Sequence, residues 1–243
     1  MPMSTLNARD RLIVALDFPS AELALRQVSQ LEDQCLWFKV GLELYLATGG
    51  SIVSSLRELG FNVFLDLKLH DIPNTVASAI RAISSMGASL LTIHGAGGQA
   101  MLAAAAAAVA GIPNAPRLLA VTVLTSMDAG ELAGIGIREA PAAQVMRLAQ
   151  LAASAGIDGL VCSPEETRML RSRLPGNPLL VVPGIRPAGA ATGDQKRIAT
   201  PAAAIAEGAS MLVVGRPITQ ADKPADAAAA ILAEIVAAMV LAP

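Results

Sequence analysis

The sequence predicts a closed (β/α)8 TIM barrel of the α/β class, with residues 1–243 forming one domain. Three observations carry that expectation. Short β-branched apolar runs alternate eight times with longer helical patterns, which implies a parallel sheet. No break in composition separates the eight units, and 243 residues suit a single barrel of about 250. No G-x-G-x-x-G follows the first run, which argues against an open dinucleotide-binding sheet.

Taken in order, strands are expected at 11–17, 36–40, 61–67, 89–93, 117–123, 157–162, 179–182 and 210–214. Each is a run of Val, Ile, Leu or Phe of strand length. Helices are expected at 20–33, 51–59, 74–86, 99–110, 141–155, 164–172, 200–207 and 224–241. Ser20, Ser163 and Thr200 stand where N-caps belong, the last two followed by Pro164 and Pro201. Gly60, Gly87 and Gly156 lie just past helix ends, where a left-handed residue is favoured. The longest loops, 124–140 and 183–199, are long enough to suggest function.

Composition narrows the partners. Hydrophobic residues make up 53% and charged residues 16%, enough apolar material for a large core. With a net charge of −2 there is no electrostatic footprint for nucleic acid or an anionic membrane. Cys35 and Cys162 form no C-x-x-C and read as buried small hydrophobes, which suits a reducing, cytoplasmic setting. Residues 1–11 lack an apolar signal core, and the Ala-rich stretches 102–110 and 227–242 read as packed helices, not membrane spans.

A barrel carries its chemistry at the C-terminal ends of its strands. Asp17 ends the first expected strand, Lys39 the second, and Asp66 and Lys68 the third, with Asp71 three residues on. Residues two apart on a strand share a face, so Asp66 and Lys68 are expected to point the same way, with Lys39 approaching from the neighbouring strand. Charges in such a place must be paired. A second constellation follows the last two strands: Pro183-Gly184-Ile185-Arg186 and Gly215-Arg216-Pro217. Loops in this position commonly bind phosphate. Gly184 and Gly215 let backbone N–H groups approach an anion, Arg216 can clamp phosphate oxygens, and Gln195 can add a donor. The residues alone therefore describe a barrel that grips a phosphorylated small molecule.

The segment Asp66-Leu67-Lys68-Leu69-His70-Asp71-Ile72-Pro73-Asn74-Thr75 resembles the D-x-K-x-x-D-I-P-x-T signature of the orotidine 5′-monophosphate decarboxylase family. Ala15-Leu16-Asp17, Phe38-Lys39-Val40-Gly41, Val123-Leu124-Thr125-Ser126-Met127, Val182-Pro183-Gly184-Ile185-Arg186 and Val214-Gly215-Arg216-Pro217-Ile218 resemble further family segments in order. The resemblance implies conversion of orotidine 5′-monophosphate to uridine 5′-monophosphate without cofactor or metal. It implies that Asp17 and Lys39 contact the ribose and that Lys39 pairs with Asp66. Asp66 faces the substrate carboxylate, and Lys68, flanked by Asp66 and Asp71, donates the proton. Thr125 and Ser126 meet the pyrimidine, and Pro183 lines an apolar pocket. Gln195, Gly215 and Arg216 hold the phosphate, with Arg186 in the substrate-binding set. A homodimer is implied, with Asp71 and Thr75 delivered across the interface.

No motif for pyridoxal, thiamine or a metal is present, so the electron sink is expected to be electrostatic. The nearest rival is a metal-dependent sugar-phosphate decarboxylase or aldolase on the same barrel, which shares D-x-K-x-x-D but not the Ile72-Pro73-Asn74-Thr75 extension. A non-catalytic nucleotide-phosphate sensor is disfavoured by the intact lysine and its carboxylates. His70 and His94 have no metal-ligand spacing, and His94 reads as a satisfied core histidine.

Overall fold

The computed structural model describes residues 6–31, 33–187 and 197–241. Eight parallel strands close on themselves in chain order, β1 to β8, with β8 paired back to β1. They are β1 Leu12–Leu16, β2 Trp37–Val40, β3 Asn62–Leu69, β4 Leu90–His94, β5 Arg117–Val121, β6 Gly159–Val161, β7 Leu179–Val182 and β8 Met211–Val214. The expected barrel and all eight strands are present.

Around them lie α1 Ala21–Ser29, α2 Leu42–Thr48, α3 Ser51–Glu58, α4 Pro73–Ser84, α5 Gly98–Val109, α6 Ala129–Gly134, α7 Pro141–Ser154, α8 Pro164–Arg173, α9 Pro201–Ala206, α10 Arg216–Thr219 and α11 Pro224–Leu241. The expected caps hold. Ser20 Oγ accepts from Leu23 N–H at 3.3 Å and Thr200 Oγ1 from Ala203 N–H at 3.2 Å. Ser163 and Glu166 form a reciprocal capping box.

Helices α2, α6 and α10 were not anticipated. In α2, Leu42, Leu44 and Leu46 alternate with a strand-like period of two, and only Leu44 is buried, so no helical stripe exists to be read. The signal for α6 is the Asp128-x-x-Glu131 capping box inside the fifth loop. The four residues of α10 are too few to show a period.

Two apolar clusters result from strand alternation. One face of each strand packs outward on the helices, as with Leu12, Val14, Phe38, Val40, Val63, Leu65, Leu91 and Ile93. The other face fills the barrel, with Ile13, Ala15, Phe64, Leu90, Leu119, Leu179, Val181, Met211 and Val213. Gly159 belongs to this inner layer of necessity. A Cβ there would lie 2.2 Å from the Leu179 carbonyl oxygen and 2.9 Å from Leu119 Cδ2. The inner ladder also sets the site. Two residues beyond inward Ala15, Trp37, Phe64 and Leu90 come Asp17, Lys39, Asp66 and Thr92.

The third strand departs from the expected geometry. Its pairing with β4 runs through Phe64↔Leu90 and Leu65↔Leu91, then shifts register before Leu69↔Ile93. Lys68 sits within this bulge at φ +50°, a left-handed conformation that is uncommon outside glycine. Lys68 still lies beside Asp66, as alternation leads one to expect, but it extends from a left-handed backbone that alternation does not foresee.

Candidate active site

A cavity of about 250 Å³ opens at the C-terminal end of the barrel. Lys39, Asp66, Lys68, Thr125, Ser126 and Pro183 line it, all expected from sequence. Apolar Phe64, Val121, Val123, Leu124, Val161 and Val213, with Cys162, complete the wall. At its polar side the charges form a chain. Lys68 Nζ lies 2.8 Å from Asp66 Oδ2, and Lys39 Nζ lies 3.9 Å from the same oxygen and 2.9 Å from Asp17 Oδ1. Lys39 and Asp66 are largely buried (12% and 14% exposed side chains), whereas Lys68 keeps 32% exposure toward the cavity and Asp17 keeps 58%. A buried charge is tolerable because each has an opposite partner.

Two glycines shape this end. A Cβ at Gly41 would lie 2.8 Å from Lys39 Nζ and 3.2 Å from Asp17 Oδ1, so the missing side chain is the space that the ion pair occupies. Gly215 faces Asp17 and Ala15, which sets the loop after β8 beside the Asp17–Lys39 pair. Arg216 follows as the first, exposed residue of α10. Arg186 is buried and does not line the cavity. Its N–H bonds the Ala199 carbonyl oxygen at 2.9 Å, and its side chain donates to the Ile185 carbonyl oxygen at 2.8 Å, inside the folded base of the seventh loop. Gln195 lies outside the described residues.

Asp71 and Thr75 do not meet Lys68 in this cavity. They are exposed and line an adjoining depression of about 330 Å³, together with His70 and Val76, and Lys68 lines both this depression and the cavity. Asp71 Oδ1 accepts from Ile72 N–H of its own chain at 2.6 Å. His70 stacks on His94, with ring centroids 5.0 Å apart. His94 Nδ1 accepts from Ala96 N–H at 3.1 Å. Burial, then His70 and then Lys68, push the His94 pKa below its ordinary value. It is thus a histidine with its acceptor satisfied.

Sequence reading missed two sets of supporting residues. Thr92, fully buried on β4, donates to Asp66 Oδ1 at 3.0 Å and accepts from Lys68 N–H at 2.8 Å. Its signal was a lone hydroxyl in an apolar strand, which must find partners. The second set is a buried ion pair of Arg197 with Glu166, whose carboxylate also accepts from Ser163 Oγ and from Ser163 N–H at 2.8 Å. Arg197 Nη2 donates to the carbonyl oxygens of Leu124 at 2.7 Å and Val123 at 3.3 Å, just ahead of Thr125 and Ser126. Both cysteines are buried, and desolvation pushes each thiol up to about 12, so they behave as small hydrophobes, as expected. Among the described residues, no three His, Cys, Asp or Glu side chains converge as a metal site, and no helix is long and apolar enough to cross a membrane.

A sequence model of the orotidine 5′-phosphate decarboxylase / HUMPS family matches residues 10–231. The chain belongs to this family. An orotidine 5′-phosphate decarboxylase from Halorhodospira halophila is 54% identical over 228 residues, covering 94% of this chain and 97% of the relative. One from Nitrosococcus oceani is 51% identical over 227 residues, covering 93% and 98%. The crystal structure of orotidine 5′-phosphate decarboxylase from Lactobacillus acidophilus superposes with a TM-score of 0.81 at 39% identity, covering 92% of this chain and 98% of that one. Family membership and the barrel thus rest on the full length of the matched segment, not on the ten-residue signature alone.

Proposed function

We propose that this protein decarboxylates orotidine 5′-monophosphate to uridine 5′-monophosphate, as a carboxy-lyase of pyrimidine nucleotide synthesis. The observation that carries this reading is the Lys68 ammonium, held 2.8 Å from Asp66 at the edge of a largely apolar cavity, within the signature segment. Names of relatives at about half identity support the substrate.

The chemistry follows from what such a cavity can do. Breaking the ring–carboxylate bond releases carbon dioxide and leaves the electron pair on a pyrimidine carbon that has no conjugated sink. A fixed ammonium beside that carbon stabilises the developing charge, and its proton then forms the new C–H bond. The lysine regains a proton from solvent. Asp66 holds the ammonium in place, Thr125 and Ser126 face the ring, and Pro183 with the valines surrounds the departing apolar carbon dioxide. Asp17 and Lys39 take the ribose hydroxyls, and Gly215, Arg216 and Gln195 take the phosphate. Asp71 and Thr75, exposed and outside the lining of the main cavity, fit delivery to a second copy of the chain in a homodimer.

Magnitude shows that Lys68 does not act alone. A charge pair at about 4 Å contributes roughly 4 kcal/mol at an effective dielectric of about 20. Large enzymatic accelerations require about 20 kcal/mol. The phosphate contacts supply binding energy that is realised in the transition state.

Ultraviolet absorbance of orotidylate, followed with and without a chelator, tests the reading. Turnover that is indifferent to chelation is expected. No turnover overturns the assignment and leaves metal-dependent sugar-phosphate chemistry as the rival, and orotidylate turnover lost with the chelator overturns the metal-free mechanism. Lys68→Ala is expected to lose nearly all turnover while still binding uridylate; substantial residual activity removes Lys68 from its role.

A further inference from the structure

The bulge in β3 creates a problem that one side chain on the neighbouring strand resolves. Where register shifts between Leu65 and Leu69, the Lys68 N–H leaves the regular ladder. A buried backbone donor without a partner is costly. Thr92 Oγ1 takes that bond at 2.8 Å. The same hydroxyl has one proton to give, and gives it to Asp66 Oδ1 at 3.0 Å. The directions of both bonds are fixed, because an amide N–H can only donate and a carboxylate can only accept.

The consequence reaches the reacting groups. The two Asp66 oxygens are divided between partners, with Oδ1 on Thr92 and Oδ2 on Lys68 Nζ at 2.8 Å. Thr92 therefore fixes the rotation of the carboxylate and, through it, the direction in which Oδ2 holds the amine. It also fixes the left-handed backbone from which that amine extends. Thr92 is fully buried, surrounded in sequence by Leu90, Leu91 and Ile93, and is absent from the cavity wall. It touches the machinery from behind.

We propose that Thr92 is a positioning residue for decarboxylation, whose single hydroxyl sets both the Asp66 carboxylate and the backbone of the proton-donating Lys68. The inference rests on the decarboxylase reading above. It separates rate from binding, because the Thr92 hydroxyl bonds the Asp66 carboxylate and the Lys68 N–H, the groups placed at the reacting carbon.

The test is Thr92→Val, which keeps shape and removes the hydroxyl, against Thr92→Ser, which restores the hydroxyl without the methyl. A misplacement approaching 1 Å costs about 100-fold in rate. Thr92→Val is expected to lower kcat by roughly 30- to 100-fold, while KM for orotidylate and Kd for uridylate stay within about threefold. Thr92→Ser is expected to return kcat to within about fivefold of the unmodified protein. Should Thr92→Val fail to fold, Thr92→Ala carries the same expectation. Unmodified protein with no turnover overturns the decarboxylase reading and this inference with it. Active unmodified protein, with Thr92→Val within threefold of its kcat, overturns the inference alone. So does equal loss in kcat and uridylate affinity, or a serine variant as slow as the valine one.

Discussion

Replacing Glu166 by Gln should destabilise the barrel by an amount that the burial of its partner sets. The Glu166 and Arg197 side chains are 4% and 9% exposed, so solvent screening hardly weakens their pairing. Removing one charge of a buried pair leaves the other desolvated, at a cost of about 3–5 kcal/mol. Gln keeps an acceptor oxygen, and Arg197 keeps its bonds to the Leu124 and Val123 carbonyl oxygens, which favours the lower end, about 3 kcal/mol. For a chain of this size each kcal/mol moves Tm by about 2–4 °C, so a drop of roughly 6–12 °C is expected in a thermal melt. Glu166→Gln combined with Arg197→Met should recover part of the loss, because no unpaired charge then remains. A single-variant Tm within about 2 °C of the unmodified protein, or a double variant worse than the sum of the singles, refutes the reasoning.

Gly41→Ala places a methyl 2.8 Å from Lys39 Nζ and should push the amine off Asp17. KM for orotidylate is expected to rise by about tenfold, the weight of one charged contact; an unchanged KM sinks the idea. His94 is held below its ordinary pKa by burial, His70 and Lys68, so the unfolded chain binds its proton first as pH falls below about 6.5. Stability should therefore decline on acidification from pH 7.5 to 5.5. His94→Asn, which keeps an acceptor for Ala96 N–H, should show a smaller decline; an equal Tm loss would discount the titration. Arg216→Ala should depress kcat/KM for orotidylate far more than for orotidine, which lacks the phosphate, whereas equal losses would show that phosphate contacts do not drive catalysis.

Much of this molecule was readable because strand alternation puts inward residues two apart, and the charged ones fall where the inner ladder meets the cavity. Asp17, Lys39 and Asp66 could be placed by counting along a strand. Lys68 could be put on the same side as Asp66 in this way, but its left-handed backbone could not be foreseen, since it lies in a register shift with β4 that no local pattern announces. Glu166 and Arg197 are separated by 31 positions, and Ser163-Pro164-Glu165-Glu166 is fully explained as a helix start when read alone. Long-range pairs of that kind arise only once the strands have closed. Helix α2 escaped for the opposite reason, because its alternating leucines mimic a strand while packing decides otherwise.

The twisted backbone at position 68 sets the working protein against its own durability. A non-glycine residue held at positive φ costs about 1–3 kcal/mol. Lys68→Gly would release that cost, but it would discard the amine that donates the proton and strip the largely buried Asp66 of its 2.8 Å partner. Directed evolution for heat resistance alone would therefore weigh a relaxed backbone against a carboxylate short of neutralising charge at this codon, and a screen that also demands product would keep the lysine.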